Sequence, residues 1–259
     1  MRFAANLSMM FTDLPLLERI QCAKQLGFQG VEVQFPYAAS VADWQQALKD
    51  AQLPLVLINL PAGDFMQGGP GLASHPERVT EFKEAAMQAL DYVDALQPSV
   101  LNVLAGRVAP GHTQAACLQQ LVDNLNWLQK QLGTRPLHLT CEPINNLDQP
   151  GYLIPRPSDW AALASRLDHP GLKLQLDIYH AAQMQQAISD CMTRYAKDLV
   201  HIQFADHPGR GHPGTGQLNW EALLTQLKSQ GYRGWLAAEF NASSKDRFDW
   251  LEAWQTKLS

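Results

Sequence analysis

The chain has 259 residues, of which 46% are hydrophobic and 17% are charged, a composition typical of a globular protein with a large core. Its net charge of -5 comes from scattered charges, so it lacks the clustered Lys and Arg that nucleic-acid binding needs. No apolar run approaches the length of a membrane span, and the N-terminal segment is too interrupted by polar residues to form a signal-peptide core. The composition therefore predicts a soluble cytoplasmic protein that binds neither nucleic acid nor membranes.

Eight short apolar runs alternate with longer segments of helical period. The predicted strands cover residues 3–7, 31–35, 55–59, 100–104, 137–142, 172–177, 199–204 and 235–240. Strands that alternate with helices in this way are typical of a parallel sheet covered by helices.

Residues that favour helix ends stand between the predicted strands. Ser, Thr and Asn side chains accept hydrogen bonds from the free backbone N–H groups of a first helical turn, and Gly readily ends a helix. In chain order these residues are Thr12 with Gly27, Ser40, Ser74 before Pro76, Thr113 with Gly133, Ser158, and Asn219 with Gly231.

The segment after the third strand, residues 60–78, is unusually long and rich in Gly and Pro. Its length exceeds that of an ordinary connection, which predicts a functional loop or lid. An insertion that the fold merely tolerates is an equally good interpretation of the same pattern.

Eight strand-helix units favour an α/β protein of the closed (β/α)8 TIM-barrel type, with residues 1–259 forming one domain. The competing fold is an open doubly wound sheet, which normally carries a glycine-rich phosphate-binding turn after its first strand. Here that segment reads ANLSMMFTD and contains no glycine. The sequence therefore predicts the closed barrel.

Oxygen-bearing side chains stand at the same level near the ends of four consecutive predicted strands: Glu142, Asp177, Gln203 and Glu239. Each alone would be expected to cap a helix or pair with a lysine. In a barrel, however, the strand ends converge on one rim, where half-buried carboxylates repel each other unless protons or a cation neutralise them. Because the donors are oxygens, the pattern predicts a divalent metal, with Mg²⁺ or Mn²⁺ preferred over Zn²⁺.

Three further polar residues lie close to this rim. His180 follows Asp177 where the chain leaves the sixth strand, and either a substrate contact, a proton shuttle or a structural hydrogen bond fits it. His201 shares the side of Gln203 but lies deeper in the barrel, so we expect a structural role. Arg210 lies in a loop rich in Gly and Pro, which can hold a guanidinium over the rim to clamp a carboxylate or hydroxyl. Without the neighbouring carboxylates it would be interpreted as a solvated loop arginine.

The four cysteines, Cys22, Cys117, Cys141 and Cys191, lie in apolar or helical stretches without CxxC spacing. This pattern predicts buried thiols in a reducing compartment and not a disulfide framework or a zinc knuckle.

Blocks along most of the chain resemble the hydroxypyruvate isomerase family, which lies within the xylose isomerase-like barrels that also include ketose 3-epimerases. In order, these blocks are RFAANLSMMF, GVEVQFPY, NLPAGD, CEPIN, QLDIYH, HIQFADHPGRGHPGTGQLNW and GWLAAEF. The long block after the seventh strand is the most specific. Phe240, Asn241 and Ala242 stand where the family usually has Tyr-Lys-Pro, so any substrate contact from that lysine is absent here.

The resemblance implies a role for each matching residue. The implied metal ligands are Glu142, Asp177, Gln203 and Glu239, with Glu142 and Glu239 also transferring protons. The implied substrate contacts are His180, Arg210 and Asp148. The implied reaction interconverts hydroxypyruvate and tartronate semialdehyde by proton transfer through an enediolate that the metal stabilises.

Several alternatives remain open from the sequence. A 2-oxo-tetronate isomerase or a ketose 3-epimerase would use the same enediolate chemistry on another hydroxy-keto acid or sugar. A multi-zinc DNA-repair barrel would need more ligating histidines and a basic face than the sequence offers. A barrel that binds a metal and a small ligand without catalysis also fits, because a fold does not establish turnover. A homo-oligomer is compatible with the sequence as well.

Overall fold

A computed structural model describes residues 1–258 and shows eight parallel strands closed into one barrel. Each strand pairs with the next in chain order, and the last pairs with the first. The strands are β1 Arg2–Asn6, β2 Gly30–Val33, β3 Leu55–Asn59, β4 Val100–Asn102, β5 His138–Thr140, β6 Leu172–Asp177, β7 Leu199–Phe204 and β8 Trp235–Ala238. The predicted TIM barrel is confirmed. The strands that differ from their predicted bounds all end earlier, because the chain leaves the sheet there to build the rim.

Helices lie between successive strands and cover the outside of the barrel. They are α1 Glu18–Gln25, α2 Val41–Ala51, α3 Val79–Leu96, α4 Gln114–Leu132, α5 Pro157–Ala164, α6 Ile178–Gln183, α7 Ile188–Arg194, α8 Trp220–Ser229 and α9 Asp249–Leu258. Their apolar sides belong to one continuous core with the outward-facing strand residues. Within residues 1–258, every helix is too short or too polar to cross a bilayer.

Half of the predicted helix starts are confirmed. The confirmed N-cap residues accept hydrogen bonds of 3.1–3.2 Å from backbone N–H groups in the first turns of α2, α4 and α8, and they are Ser40, Thr113 and Asn219. The predicted glycines also stand at helix ends with positive φ angles: Gly27, Gly133 and Gly231.

The prediction is wrong for Thr12, Ser74 and Ser158, none of which caps a helix. A nearby proline accounts for each case, because the residue before a proline is kept out of the helical conformation. The helices therefore start later or at the proline itself: α1 beyond Pro15, α3 beyond Pro76, and α5 at Pro157 with Arg156 as its N-cap.

The barrel interior is apolar at its lower end and polar towards its mouth. A small separate cluster fills the lower end, and it consists of Ala4, Val56, Leu57, Val100, Trp235 and Ala237. The Trp235 ring lies against Gly30, where a Cβ atom would come within 2.8 Å of it. Above this cluster, the buried residues of the barrel interior are polar, among them Asn6, Glu32, Gln175 and His201. The floor of the site is therefore built from hydrogen-bonding groups.

The four cysteines are free thiols, as predicted. Cys117, Cys141 and Cys191 are buried, whereas Cys22 is partly exposed. Cys22 differs from the prediction because it packs against the edge of the core and is only partly covered.

We expect replacement of Thr113 by alanine to lower the free energy of unfolding by about 1 kcal/mol, because α4 loses the oxygen that caps its first turn. Urea unfolding followed by circular dichroism measures the change. Thr12→Ala is the matched control, since the exposed Thr12 caps no helix. Equal losses of stability in the two variants would contradict the assignment of the cap.

Candidate active site

The carboxyl ends of the strands bring the four predicted oxygen donors to the mouth of the barrel. Asp177 ends β6 and stands opposite Gln203 in β7, Glu239 directly follows β8, and Glu142 lies just beyond β5. All four side chains are buried, with 2–5% of each residue exposed. A cavity of about 310 Å³ opens beside them, and its lining includes Glu142, Glu239, His180, Arg210 and Asp148.

The two oxygens of Asp177 have different surroundings. Oδ1 accepts backbone hydrogen bonds from Tyr179 at 2.7 Å and His180 at 3.3 Å, so it caps α6. Oδ2 is buried and has no hydrogen-bond partner within the described residues. One oxygen therefore stabilises the fold, and the other stays available to the site.

The two carboxylate oxygens of Glu239 also have different surroundings. Its Oε1 accepts a hydrogen bond of 2.9 Å from Nε2 of Gln34, whereas its Oε2 is buried without a hydrogen-bond partner in the part of the chain described. The Nη2 atom of Arg210 lies 3.6 Å from Asp177 Oδ2 and 3.6 Å from Glu239 Oε2. These distances are too long for good hydrogen bonds but short enough for strong attraction. The guanidinium thus partly neutralises both carboxylates.

Arg210 is held there by a tightly bonded loop between β7 and α8. The buried Asp206 accepts hydrogen bonds from the backbone of Gly214 at 2.8 Å and from the Trp220 indole at 3.0 Å. Gly216 packs directly against Asp206, where a Cβ atom would come within 2.5 Å of its carboxylate. The backbone of Arg210 has a φ of 53°, a conformation unusual for a residue with a side chain. This loop holds the guanidinium over the mouth of the barrel.

Glu142 is held by amides from neighbouring strands. Its Oε2 accepts hydrogen bonds from Gln175 at 3.0 Å and from Asn102 at 3.4 Å. Its backbone N–H also donates to Asn102 Oδ1 at 3.1 Å. These contacts fix the carboxylate on the wall of the cavity.

Gln203 belongs to a network under the site that the sequence analysis missed. Its Nε2 donates to Glu32 at 2.8 Å, and its Oε1 accepts a hydrogen bond from Gln175. Glu32 also contacts His201 Nε2 at 2.7 Å and accepts a hydrogen bond from Asn6 at 2.8 Å. His201 is fully buried and binds this carboxylate, in keeping with the structural role predicted for it. In the sequence, the signal for this network is Glu32, a single acidic residue inside the otherwise apolar run GVEV.

The third loop contributes to the cavity wall, which favours the functional interpretation over a tolerated insertion. Phe65 and Met66, from a short 3-10 helix in this loop, line the cavity. Arg107 anchors the segment by donating to the backbone carbonyls of Phe65 at 3.1 Å and Gly69 at 2.6 Å. It also donates to the carbonyl of Pro150 at 3.1 Å and so joins this loop to the one after β5.

Burial and crowding shift the proton affinities of the site. Burial raises the pKa of Glu142 well above its ordinary value, and the charges of Glu239 and Asp177 add to the effect. Burial raises the pKa of Glu239 to about 8, against the opposing effect of Arg210. Burial lowers the pKa of His180. The pKa of Arg210 is raised, because attraction to the carboxylates outweighs its burial.

The donor set fits a divalent cation. One ligand atom each from Glu142, Asp177 and His180 lies within 4.8 Å of the others, and Asp177 Oδ2 is buried without a hydrogen-bond partner in the described residues. Glu239 lies outside this tightest group, although Arg210 contacts both its Oε2 and Asp177 Oδ2. Carboxylate oxygens in such a site suit hard ions.

The family model described as xylose isomerase-like TIM barrel matches residues 20–258. The chain belongs to this family. Among its relatives, the hydroxypyruvate isomerase of Escherichia coli is 36% identical over 240 residues, covering 93% of each chain. The 2-oxo-tetronate isomerase of Pectobacterium atrosepticum is 33% identical over 263 residues, covering 99% of this chain and 98% of that protein. These matches confirm the resemblance to the hydroxypyruvate isomerase family and show an isomerase on a TIM-barrel scaffold.

A solved crystal structure is similar to this barrel in both fold and sequence. The crystal structure described as AP endonuclease, family 2, from Brucella melitensis superposes with a TM-score of 0.92 at 33% identity, covering 98% of this chain and 99% of that one. The whole barrel is therefore shared between the two proteins.

We expect the free energy of unfolding of the metal-free protein to fall as the pH rises from about 4.5 to about 8. Glu239 has a pKa of about 8 in the folded chain against an ordinary value of 4.5, so over this range the unfolded chain loses its proton first and becomes favoured. Glu142 acts in the same direction. Urea unfolding at several pH values measures the slope.

Replacing Glu239 by glutamine should flatten this slope. Glu84→Gln is the matched control, because Glu84 is exposed on α3 and should leave the slope unchanged. A slope in Glu239→Gln equal to that of the wild-type protein would contradict the raised pKa.

Proposed function

We propose that this protein interconverts hydroxypyruvate and tartronate semialdehyde by moving a proton between adjacent carbons. The observation that carries the proposal is a pair of buried carboxylate oxygens that have no hydrogen-bond partner among residues 1–258. They are Asp177 Oδ2 and Glu239 Oε2, each 3.6 Å from Arg210 at the mouth of the barrel. Such groups are costly to bury unless a ligand completes them. The names of the most similar relatives support the choice of reaction.

The cavity suits a small anionic substrate. Its volume of about 310 Å³ is at the lower end of the range for small-molecule sites. Arg210 supplies a cation with a buried Nε that has no partner among the described residues, and a substrate carboxylate would complete it. Phe65 and Met66 give one side of the cavity an apolar lining.

Under this proposal Glu142, Asp177, Gln203 and Glu239 would hold Mg²⁺ or Mn²⁺, which supplies Lewis-acid stabilisation of developing negative charge. Gln203 keeps its carboxamide fixed through its bonds to Glu32 and Gln175. Its oxygen retains a second lone pair for a ligand.

Glu142 and Glu239 carry the proton transfers. One carboxylate takes a proton from the hydroxymethyl carbon, and the electron pair of that C–H bond forms a double bond to the keto carbon. The carbonyl electron pair moves onto its oxygen, which yields the enediolate. The hydroxyl proton of the terminal carbon passes to this oxygen. The other carboxyl group then returns a proton to the former keto carbon, while an electron pair of the terminal oxygen forms the new aldehyde C=O bond. The raised pKa of Glu239 brings its proton affinity close to neutral pH, where proton transfer in both directions is efficient.

A second candidate substrate is a four-carbon 2-oxo acid, because two of the most similar relatives are named 2-oxo-tetronate isomerases. It would use the same carboxylates and the same enediolate chemistry. The DNA-repair alternative has less support, although one similar structure carries that name. His180 is the only histidine in the candidate ligand cluster of residues 1–258, and the net charge is -5.

We also propose that the enzyme is a single-domain protein of the cytoplasm. We take residues 1–259 as one domain, and the four free thiols suit the reducing cytoplasm. Under this proposal, the binding partner of the site is a small hydroxy-keto acid.

Proton exchange with solvent tests the reaction directly. Incubation with hydroxypyruvate in D₂O should place deuterium on the substrate carbons and form tartronate semialdehyde, as ¹H NMR detects. We expect Glu239→Gln to remain folded and to lose on the order of 10²–10⁴-fold in turnover, because one proton-transfer group is gone. Removal of divalent metal with a chelator should also lower turnover.

Glu84→Gln is the control and should retain full activity, because Glu84 is exposed on the outer surface of the barrel. The same assay with a 2-oxo-tetronate separates the two candidate substrates. A wild-type protein that forms no product and exchanges no deuterium with either acid would overturn the proposed function.

A further inference from the structure

His180 has different neighbours at its two ring nitrogens. The residue is 5% exposed, lies in α6 and lines the cavity. Its Nδ1 lies 2.6 Å from the side-chain nitrogen Nδ2 of Asn145. Its Nε2 lies 3.6 Å from Asp177 Oδ2, which is too long for a hydrogen bond. The chemistry of the ring therefore depends on what Asn145 offers to Nδ1.

The side-chain amide of Asn145 can take only one orientation. Its Oδ1 accepts hydrogen bonds from the backbone N–H groups of Leu147 at 3.0 Å and Asp148 at 2.8 Å. Its Nδ2 donates to the carboxylate of Asp148 at 2.9 Å. Exchanging oxygen and nitrogen would turn all three attractive contacts into repulsive ones, so the amide nitrogen faces His180. Asn145 is fully buried, which keeps water from taking over these bonds.

An amide nitrogen donates hydrogen bonds and does not accept them. Nδ1 of His180 must therefore be the acceptor, which leaves the ring proton on Nε2. In this state His180 has no free lone pair for a cation, because Nδ1 is occupied by Asn145 and Nε2 carries hydrogen. Proximity to Glu142 and Asp177 thus does not make His180 a metal ligand.

We propose that Asn145 is a positioning residue that fixes His180 as the neutral imidazole with its proton on Nε2, so that the ring donates a hydrogen bond to a substrate oxygen. The role of His180 towards substrate rests on the proposed isomerisation, in which negative charge develops on the carbonyl oxygen. A donor already oriented towards that oxygen stabilises the enediolate without reorganisation. Asp148 contributes by holding the second N–H of Asn145.

The tautomer is directly measurable with ¹⁵N-labelled histidine. Long-range ¹H–¹⁵N correlation spectra of the wild-type protein identify which nitrogen of His180 is protonated, and the spectrum of His180→Gln assigns the signals by their loss. We expect the pattern of a neutral ring protonated on Nε2. A wild-type ring protonated on Nδ1, or on both nitrogens at neutral pH, would overturn the inference whether or not any variant folds.

The variant Asn145→Asp tests whether Asn145 sets the tautomer of His180. A carboxylate accepts where the amide donates, so Nδ1 of His180 should gain a proton and the spectrum should change accordingly. Asn146→Asp is the matched control, because it makes the same change at the next residue, for which the structure shows no bond to His180. We expect it to leave the tautomer unchanged. An Asn145→Asp spectrum identical to that of the wild-type protein would contradict the positioning role.

Kinetics separates this inference from the proposed function. Asn145→Asp should lower kcat on the order of 10²-fold with a smaller change in KM, because the lost donor acts mainly on the transition state. Unchanged kcat in a variant with the altered tautomer would overturn the role towards substrate. An inactive wild-type protein would instead overturn the proposed isomerisation, while the tautomer would still be decided by NMR.

Discussion

Repulsion among buried carboxylates is the constraint on which the mouth of this barrel depends. Glu142, Asp177 and Glu239 are all at least 95% buried, and the latter two each present an oxygen with no hydrogen-bond partner in the described residues. The guanidinium of Arg210 offsets part of this charge, and retained protons offset another part, as the pKa of about 8 for Glu239 shows. Such crowding of negative charge favours the uptake of a cation or a proton, and the proposed isomerisation would use both.

The surrounding structure holds these groups in place. Glu32 and Gln175 fix Gln203 from below, the buried Asp206 shapes the loop that carries Arg210, and Asn145 orients His180. The supporting residues Glu32, Gln175, Asp206 and Asn145 are all buried, and each is hydrogen-bonded to at least two other residues. Because the polar groups are oriented before any ligand arrives, binding needs little rearrangement of the protein.

Much of the fold was predictable because strand runs and rim residues are local features of the sequence. The alternation of apolar runs indicated all eight strands, and their positions near strand ends placed Asp177 and Gln203 at the same level. Helix starts were less predictable, since prolines near Thr12 and Ser74 override the capping preference of those residues. Glu32, Asn102, Gln175 and Asn145 were missed as site residues. Their importance comes from partners on other strands, and a single polar residue in an apolar run does not reveal its partner.

We propose that one divalent ion at the barrel mouth resolves the repulsion among these carboxylates. Crystals grown with Mn²⁺ and measured at a wavelength where manganese scatters anomalously would locate that ion. We expect one strong anomalous peak within ligand distance, about 2.0–2.3 Å, of oxygens from Glu142, Asp177, Gln203 and Glu239. A peak elsewhere, or no peak with the guanidinium of Arg210 still bridging Asp177 and Glu239, would contradict it.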